Sequence, residues 1–214
     1  MNRTERLLAF VALPLPGPHK EALARLIPDL KRAAPARLAV IRPGSWHLTL
    51  KFLGDVPLSG ETGVPALIEA QSAVDWEGFD MVPGGGGFFP GPRRPRVVYV
   101  GLASGGGGCR MLAAAVEKAL AAVGVALEDR PFTPHLTVAR VKDAPDRTDR
   151  TDRTGRTDRA DWADRGGWGD WGRVAGLLDR AQWPACRADR FVLYKSVPGP
   201  EGARHEELRS FPAR

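Results

Sequence analysis

Apolar positions along the chain switch repeatedly between two periods. Residues 7–13, LLAFVAL, form a nearly unbroken apolar run that reads as a buried strand. From about Pro18 to Lys31, Leu23, Leu26, Ile27 and Leu30 return every three or four residues, the spacing of one helix face. Residues 46–53 are strand-like. Residues 64–74 are helix-like, with Pro65 near the start, where a missing N–H costs no helical hydrogen bond. Residues 97–102 read as a second buried strand. Met111, Leu112, Ala115, Val116, Ala119, Leu120 and Val123 then fit one helix face, and Gly124 stops the run. Another strand follows, then a short helix near 171–181 and strands over 190–195 and 204–211. This alternation predicts one α/β (α+β) domain over residues 1–214.

One segment departs from both periods. Residues 144–170 repeat Asp-Arg-Thr three times and then decay into Gly and Trp. A three-residue period suits neither helix nor strand, and Thr and Gly are poor helix formers. The segment reads as a flexible low-complexity insertion. Trp162, Trp168 and Trp171 leave room for stacking on bases.

Charge and composition narrow the class of partner. The formal net charge is +6. Residues 144–170 hold seven aspartates and six arginines, so the basic surplus belongs to the folded parts and favours an anionic partner. Two cysteines, Cys109 and Cys186, give no disulfide framework and no metal cluster, and a reducing cytoplasm is the expected compartment. The apolar run over residues 7–15 is short, interrupted by Pro14, and lacks a small-residue cleavage site, so no signal peptide is expected; nor is a membrane span.

Two of the four histidines sit in one phrase. Residues 47–50 read HLTL and residues 135–138 read HLTV. Side chains alternate along a strand, so His47 and Thr49 share one face while Leu48 and Leu50 face a core; His135 and Thr137 repeat the arrangement. With one such strand in each half, two similar lobes around a cleft are expected. No carboxylate, cysteine or further histidine accompanies either phrase, which argues against a metal site. Two imidazoles with pKa values near ~6.5 suit paired acid and base catalysis, and the hydroxyls can hold an oxyanion. Phosphodiester hydrolysis needs that set of groups.

The flanks extend the likeness. FVALPLP, WHLTLKFLGDVP, GGFFPGPRRPRVVYVGL, EDRPFTPHLTVARV, and FVLYKS followed by GARHEELRSFP resemble the 2H phosphoesterases, in particular the RNA 2′,3′-cyclic phosphodiesterase branch, historically called 2′-5′ RNA ligases. The resemblance covers nearly the whole chain; residues 144–170 are longer and more repetitive than it leads one to expect. It implies a bilobal fold with antiparallel sheets flanking a central cleft, helices outside, no metal or other cofactor, and hydrolysis of an RNA 2′,3′-cyclic phosphate end to a 2′-phosphate. His47 and His135 are then the catalytic pair, and Thr49 and Thr137 contact phosphate oxygens. His47 is taken to protonate the leaving O3′ and His135 to activate water, an order that two equivalent phrases leave open.

Other residues are weighed singly. Arg130 is the expected cationic phosphate contact, since a guanidinium offers paired donors. Arg93, Arg94 and Arg96 could bind the backbone of a longer RNA or form a solvated loop. Residues 84–87, four glycines, lack a following Gly-Lys-Ser/Thr and are expected to be a flexible turn. Tyr194 and Phe89 are candidate walls for a base or ribose. His19 and His205 are expected to be structural or exposed. A monomer with no obligate protein partner is expected. RNA ligation through a 2′-5′ bond, a small cyclic-nucleotide substrate, and a non-catalytic RNA-binding module are the alternatives.

Overall fold

The computed structural model describes residues 5–142, 171–199 and 202–214. The expected insertion at 144–170 therefore lies outside the described residues. The elements run β1 (Arg6–Pro14), α1 (Gly17–Ala33), β2 (Leu38–Val40), a 3₁₀ turn (Pro43–Ser45), β3 (His47–Pro57), α2 (Val64–Ser72), β4 (Phe79–Phe89), β5 (Val97–Ser104), α3 (Gly106–Ala121), β6 (Leu136–Val141), α4 (Gly172–Arg180), β7 (Cys186–Ala188), β8 (Arg190–Val197) and β9 (Arg204–Pro212). The strands pair antiparallel in the order β7-β4-β5-β6-β3-β1-β8-β9, with β2 added to β6.

The two halves of this sheet meet at one pair of residues. β3 and β6 are joined only through Leu48 opposite Leu136. Outward from that seam the roles repeat: β3 then β1 then β8 on one side, β6 then β5 then β4 on the other. Two lobes are thus present, but the sheet is continuous across them. They are also interleaved, not stacked in sequence order. Helix α1 follows β1, yet its Leu23 and Leu30 pack with Val98 and Val100 of β5 and Leu136 and Val138 of β6. Helix α3 follows β5, yet its Leu112, Val116 and Leu120 pack with Val11, Leu48, Leu50 and Leu193. Helices α1 and α3 are thus each buried on the lobe opposite the strand they follow, and each fully buried Leu or Val contributes roughly 1.5–3 kcal/mol of transfer free energy.

Two glycine runs behave unlike their sequence reading. Residues 84–87 belong to strand β4, not to a turn. Gly87 faces Tyr99 across the β4–β5 ladder, and a Cβ there would overlap the Tyr99 ring. The glycines make room for neighbours instead of flexing. Helix α3 begins at Gly106, earlier than its apolar stripe, because Gly105 (φ 83°) turns the chain tightly against Asp80 and Gly108 lies under the Phe79 ring.

Leu136 is 2% exposed and shares its seam with Leu48. Leu136→Ala is expected to lower unfolding free energy by about 2–5 kcal/mol in urea titration. A loss below about 1 kcal/mol would show that the seam does not hold the lobes together.

Candidate active site

The seam sets the face on which the two phrases meet. Leu48, Leu50, Leu136 and Val138 enter the cores. His47, Thr49, His135 and Thr137 therefore lie together on the opposite face, the strands running in opposite directions. Past each threonine the ladder skips one residue. Val11 pairs with Lys51 and Ala12 with Thr49, leaving Leu50 extra; Val98 pairs with Ala139 and Tyr99 with Thr137, leaving Val138 extra. These bulges reverse the alternation at the same offset in both phrases. Lys51 and Ala139 turn inward, 4% and 0% exposed. Phe52, 66% exposed, and the exposed Arg140 return to the histidines' face.

Lys51 is accommodated inside by charge. Its Nζ donates to Glu117 Oε1 at 2.8 Å and to the Ala126 carbonyl at 2.7 Å, and the Glu128 N–H donates to the same Glu117 oxygen at 2.6 Å. The ammonium, foremost, holds the Glu117 carboxyl below the usual carboxylate range. The strand of the first phrase is thereby tied to the segment that leads into the second.

Both imidazoles are held in one tautomer by the same device. His47 Nδ1 lies 2.8 Å from the Ser45 carbonyl, and His135 Nδ1 lies 2.8 Å from the Thr133 carbonyl. A carbonyl only accepts, so each Nδ1 carries the hydrogen and each Nε2 is left for chemistry. His47 Nε2 lies 3.1 Å from Thr49 Oγ1. Rings then fix the imidazole planes. Phe10 lies 4.7 Å from His47, Tyr194 6.3 Å and His205 5.0 Å. Phe89 and Tyr99, stacked on each other at 4.3 Å, lie 5.0 and 5.4 Å from His135.

Burial pushes the His47 pKa down to about 4; the Ser45 carbonyl opposes the shift, and the charges of His205 and His135 add to it. His47 is therefore neutral at pH 7 in the free protein. Burial also lowers the pKa of His205, with the Arg204 backbone opposing.

The expected site residues fall out unequally. His47, Thr49, His135 and Thr137 share one face, Tyr194 stands beside His47, and Phe89 stands beside His135. Arg130 is exposed in the irregular stretch before His135, and no hydrogen bond or ring contact among the described residues joins it to either histidine. His19 is fully buried, its Nε2–H donating to the Pro184 carbonyl at 2.8 Å, as a structural histidine does. His205 is no bystander, because its ring stands edge-on to His47. Phe52 and Arg140 escape a strict period-two reading, which assigns them to the core. The signal that could have found them is the Lys at position 51, a charge that such a reading leaves on the catalytic face directly before an aromatic.

Unfolded His47 titrates near ~6.5. With its folded pKa lowered, the unfolded chain takes up the proton first, so this contribution to stability is complete above about pH 6.5 and is lost as pH falls toward 4. Urea midpoints are expected to drop over that window, and less steeply in His47→Phe. Equal slopes in the two proteins would contradict the burial of His47.

Residues 13–99 and 103–153 match the family model described as LigT like Phosphoesterase. Proteins named RNA 2′,3′-cyclic phosphodiesterase are similar: one from Aeropyrum pernix is 37% identical over 50% of this chain and 59% of its own length, and one from Archaeoglobus fulgidus is 33% identical over 62% of this chain and 72% of its own. A third, from Geobacillus stearothermophilus, is 35% identical, the match spanning 61% of this chain and 41% of that protein. Among solved structures, E. coli LigT complexed with 3′-AMP superposes with a TM-score of 0.66 at 23% identity, covering 98% of this chain and 99% of that one. TT0787 of Thermus thermophilus gives 0.67 at 23% identity, covering 97% and 98%. With the family model matching well over half of its residues, the chain belongs to the LigT-like phosphoesterases.

Proposed function

We propose that the protein hydrolyses RNA ends bearing a 2′,3′-cyclic phosphate, leaving a 2′-phosphomonoester, by acid and base catalysis at His47 and His135. The observation that carries this reading is the pair of Nε2 atoms on one face, each freed for proton transfer by a carbonyl bound to Nδ1. The names of the similar proteins support the same substrate class.

The cyclic phosphate sits between the two imidazoles. His135 Nε2 takes a proton from water as its oxygen bonds to phosphorus. The bond from phosphorus to O3′ breaks, and His47 Nε2 delivers a proton to O3′. Solvent then returns both rings to their starting states. His47, neutral in the free protein, gains its proton as the anionic phosphate arrives. A proton held so weakly passes readily to an alkoxide. Thr49 and Thr137 donate to the non-bridging oxygens. Arg140, returned to this face by the bulge, takes the phosphate-binding part for which the sequence suggested Arg130, and Phe52 offers its exposed ring to the terminal base.

His47→Ala and His135→Ala are each expected to slow single-turnover hydrolysis by about 10²- to 10⁴-fold. Arg140→Ala is expected to lower kcat/KM by about 10²- to 10³-fold, and Arg130→Ala far less. An unchanged rate in either histidine variant would remove that residue from the chemistry; equal losses in the arginine variants would reverse the preference for Arg140. In pH profiles of kcat/KM the rate falls below about pH 4, where a second proton enters the pair and no base remains, and falls again once neither ring holds a proton. An acid limb at or above about pH 6.5 would contradict this.

A further inference from the structure

The two phrases are alike in sequence, yet their surroundings differ in one respect. His135 stands against Phe89 and Tyr99, neither an imidazole. His47 stands against Phe10, Tyr194 and a third imidazole, that of His205. The His205 ring is edge-on to His47 at 5.0 Å with an interplanar angle of 86°, and edge-on to Phe10 at 4.8 Å. Its strand is anchored to the turn that sets the His47 tautomer. Ser45, whose carbonyl accepts from His47 Nδ1, donates its hydroxyl to the Ala203 carbonyl at 3.3 Å, two residues before His205.

We propose that His205 is a positioning residue for His47: with Phe10 it clamps the imidazole plane, and its own ring, edge-on at 5.0 Å, disfavours a charge on His47. The proposal rests on the reading of His47 as an acid-base group.

Two half-buried imidazoles 5.0 Å apart resist carrying charge together. Among the described residues the Arg204 backbone favours such a charge only in part, against the burial that opposes it. From β8 it meets the Tyr194 phenol, whose pKa burial raises. On β9 itself Glu206 is paired with Lys195 at 3.3 Å and Glu207 with Arg190 at 3.1 Å, and Arg204 adds a further cation. Among the described residues no carboxylate forms an ion pair with His205. The Ser45 carbonyl offsets a proton on His47 only in part, and an arriving anion completes it, so that protonation is coupled to substrate.

The test uses the full chain with His205→Ala and His205→Phe. The His47 ring is titrated by NMR in the free protein, and kcat and KM are measured on an oligoribonucleotide with a cyclic phosphate end. In His205→Ala the His47 midpoint is expected to rise by about one pH unit or more as burial and the second imidazole are lost. There kcat is expected to fall about tenfold, with KM within about threefold of wild type. His205→Phe, which keeps a ring, is expected to restore kcat to within about threefold while the midpoint stays above wild type. A wild-type midpoint in His205→Ala, a raised midpoint with unchanged kcat, a loss confined to KM, or no recovery in His205→Phe would each overturn the proposal. Should His205→Ala not fold, the His205→Phe titration decides alone, a raised midpoint supporting and an unchanged one overturning it. The titration needs no substrate, so a wild-type protein inert toward cyclic phosphate would sink the hydrolase reading and leave this test intact.

Discussion

The structure depends on the pairing of Leu48 with Leu136. It is the only ladder contact between β3 and β6, and both side chains enter cores on the helix side of the sheet. Because alternate residues on a strand face opposite ways, burying these two leucines obliges His47, Thr49, His135 and Thr137 to stand together on the other face. Slipping one of these strands by one residue would bury its histidine and threonine and expose two apolar side chains. Hydrophobic packing thus holds the polar constellation in place without any direct bond between its halves. The interleaved helices reinforce the seam, since α1 and α3 each follow a strand of one lobe and pack on the other.

Around that seam, inexpensive local devices prepare each side chain. A carbonyl two residues upstream fixes the tautomer of each histidine, and aromatic rings fix its plane. A bulge three residues past each histidine re-aims the residue at the fifth place, giving a phenyl ring on one lobe and a guanidinium on the other. The same backbone irregularity therefore returns an aromatic ring to this face in one half and a cation in the other. Burying Lys51 is the consequence on the β3 side, and the Glu117 carboxylate with the Ala126 carbonyl satisfies it. The lobes share a backbone plan and differ in the chemistry hung on it.

Much of this was legible in the chain. The helix faces at Leu23, Leu26, Ile27 and Leu30 and at Met111 to Val123 gave two helices, and the alternation in the His-Leu-Thr phrases marked which side chains share a face. What escaped had physical causes. The short strands Leu38–Val40 and Cys186–Ala188 owe their pairing to neighbours distant in sequence, so no local period announces them. Strand Phe79–Phe89 was hidden by its glycines, which the fold uses for close approach of Tyr99 and the α4 residue Leu178. Phe52, Arg140 and Lys51 carry no local signal of their facing, because a period-two reading assumes an unbroken ladder. His205 was passed over because it lies far along the chain from His47, and only the β8–β9 pairing and the contact of Ala203 with Ser45 bring it near.

The central claim is that the two histidines direct water onto a 2′,3′-cyclic phosphate. An oligoribonucleotide with that end, incubated with the protein in ¹⁸O-labelled water with a chelator present, tests it most directly by mass spectrometry and by the position of the product phosphate. One labelled oxygen in a 2′-phosphomonoester is expected, with no product from His47→Ala or His135→Ala on the same timescale. A 3′-phosphate, or turnover undiminished in either variant, would contradict it.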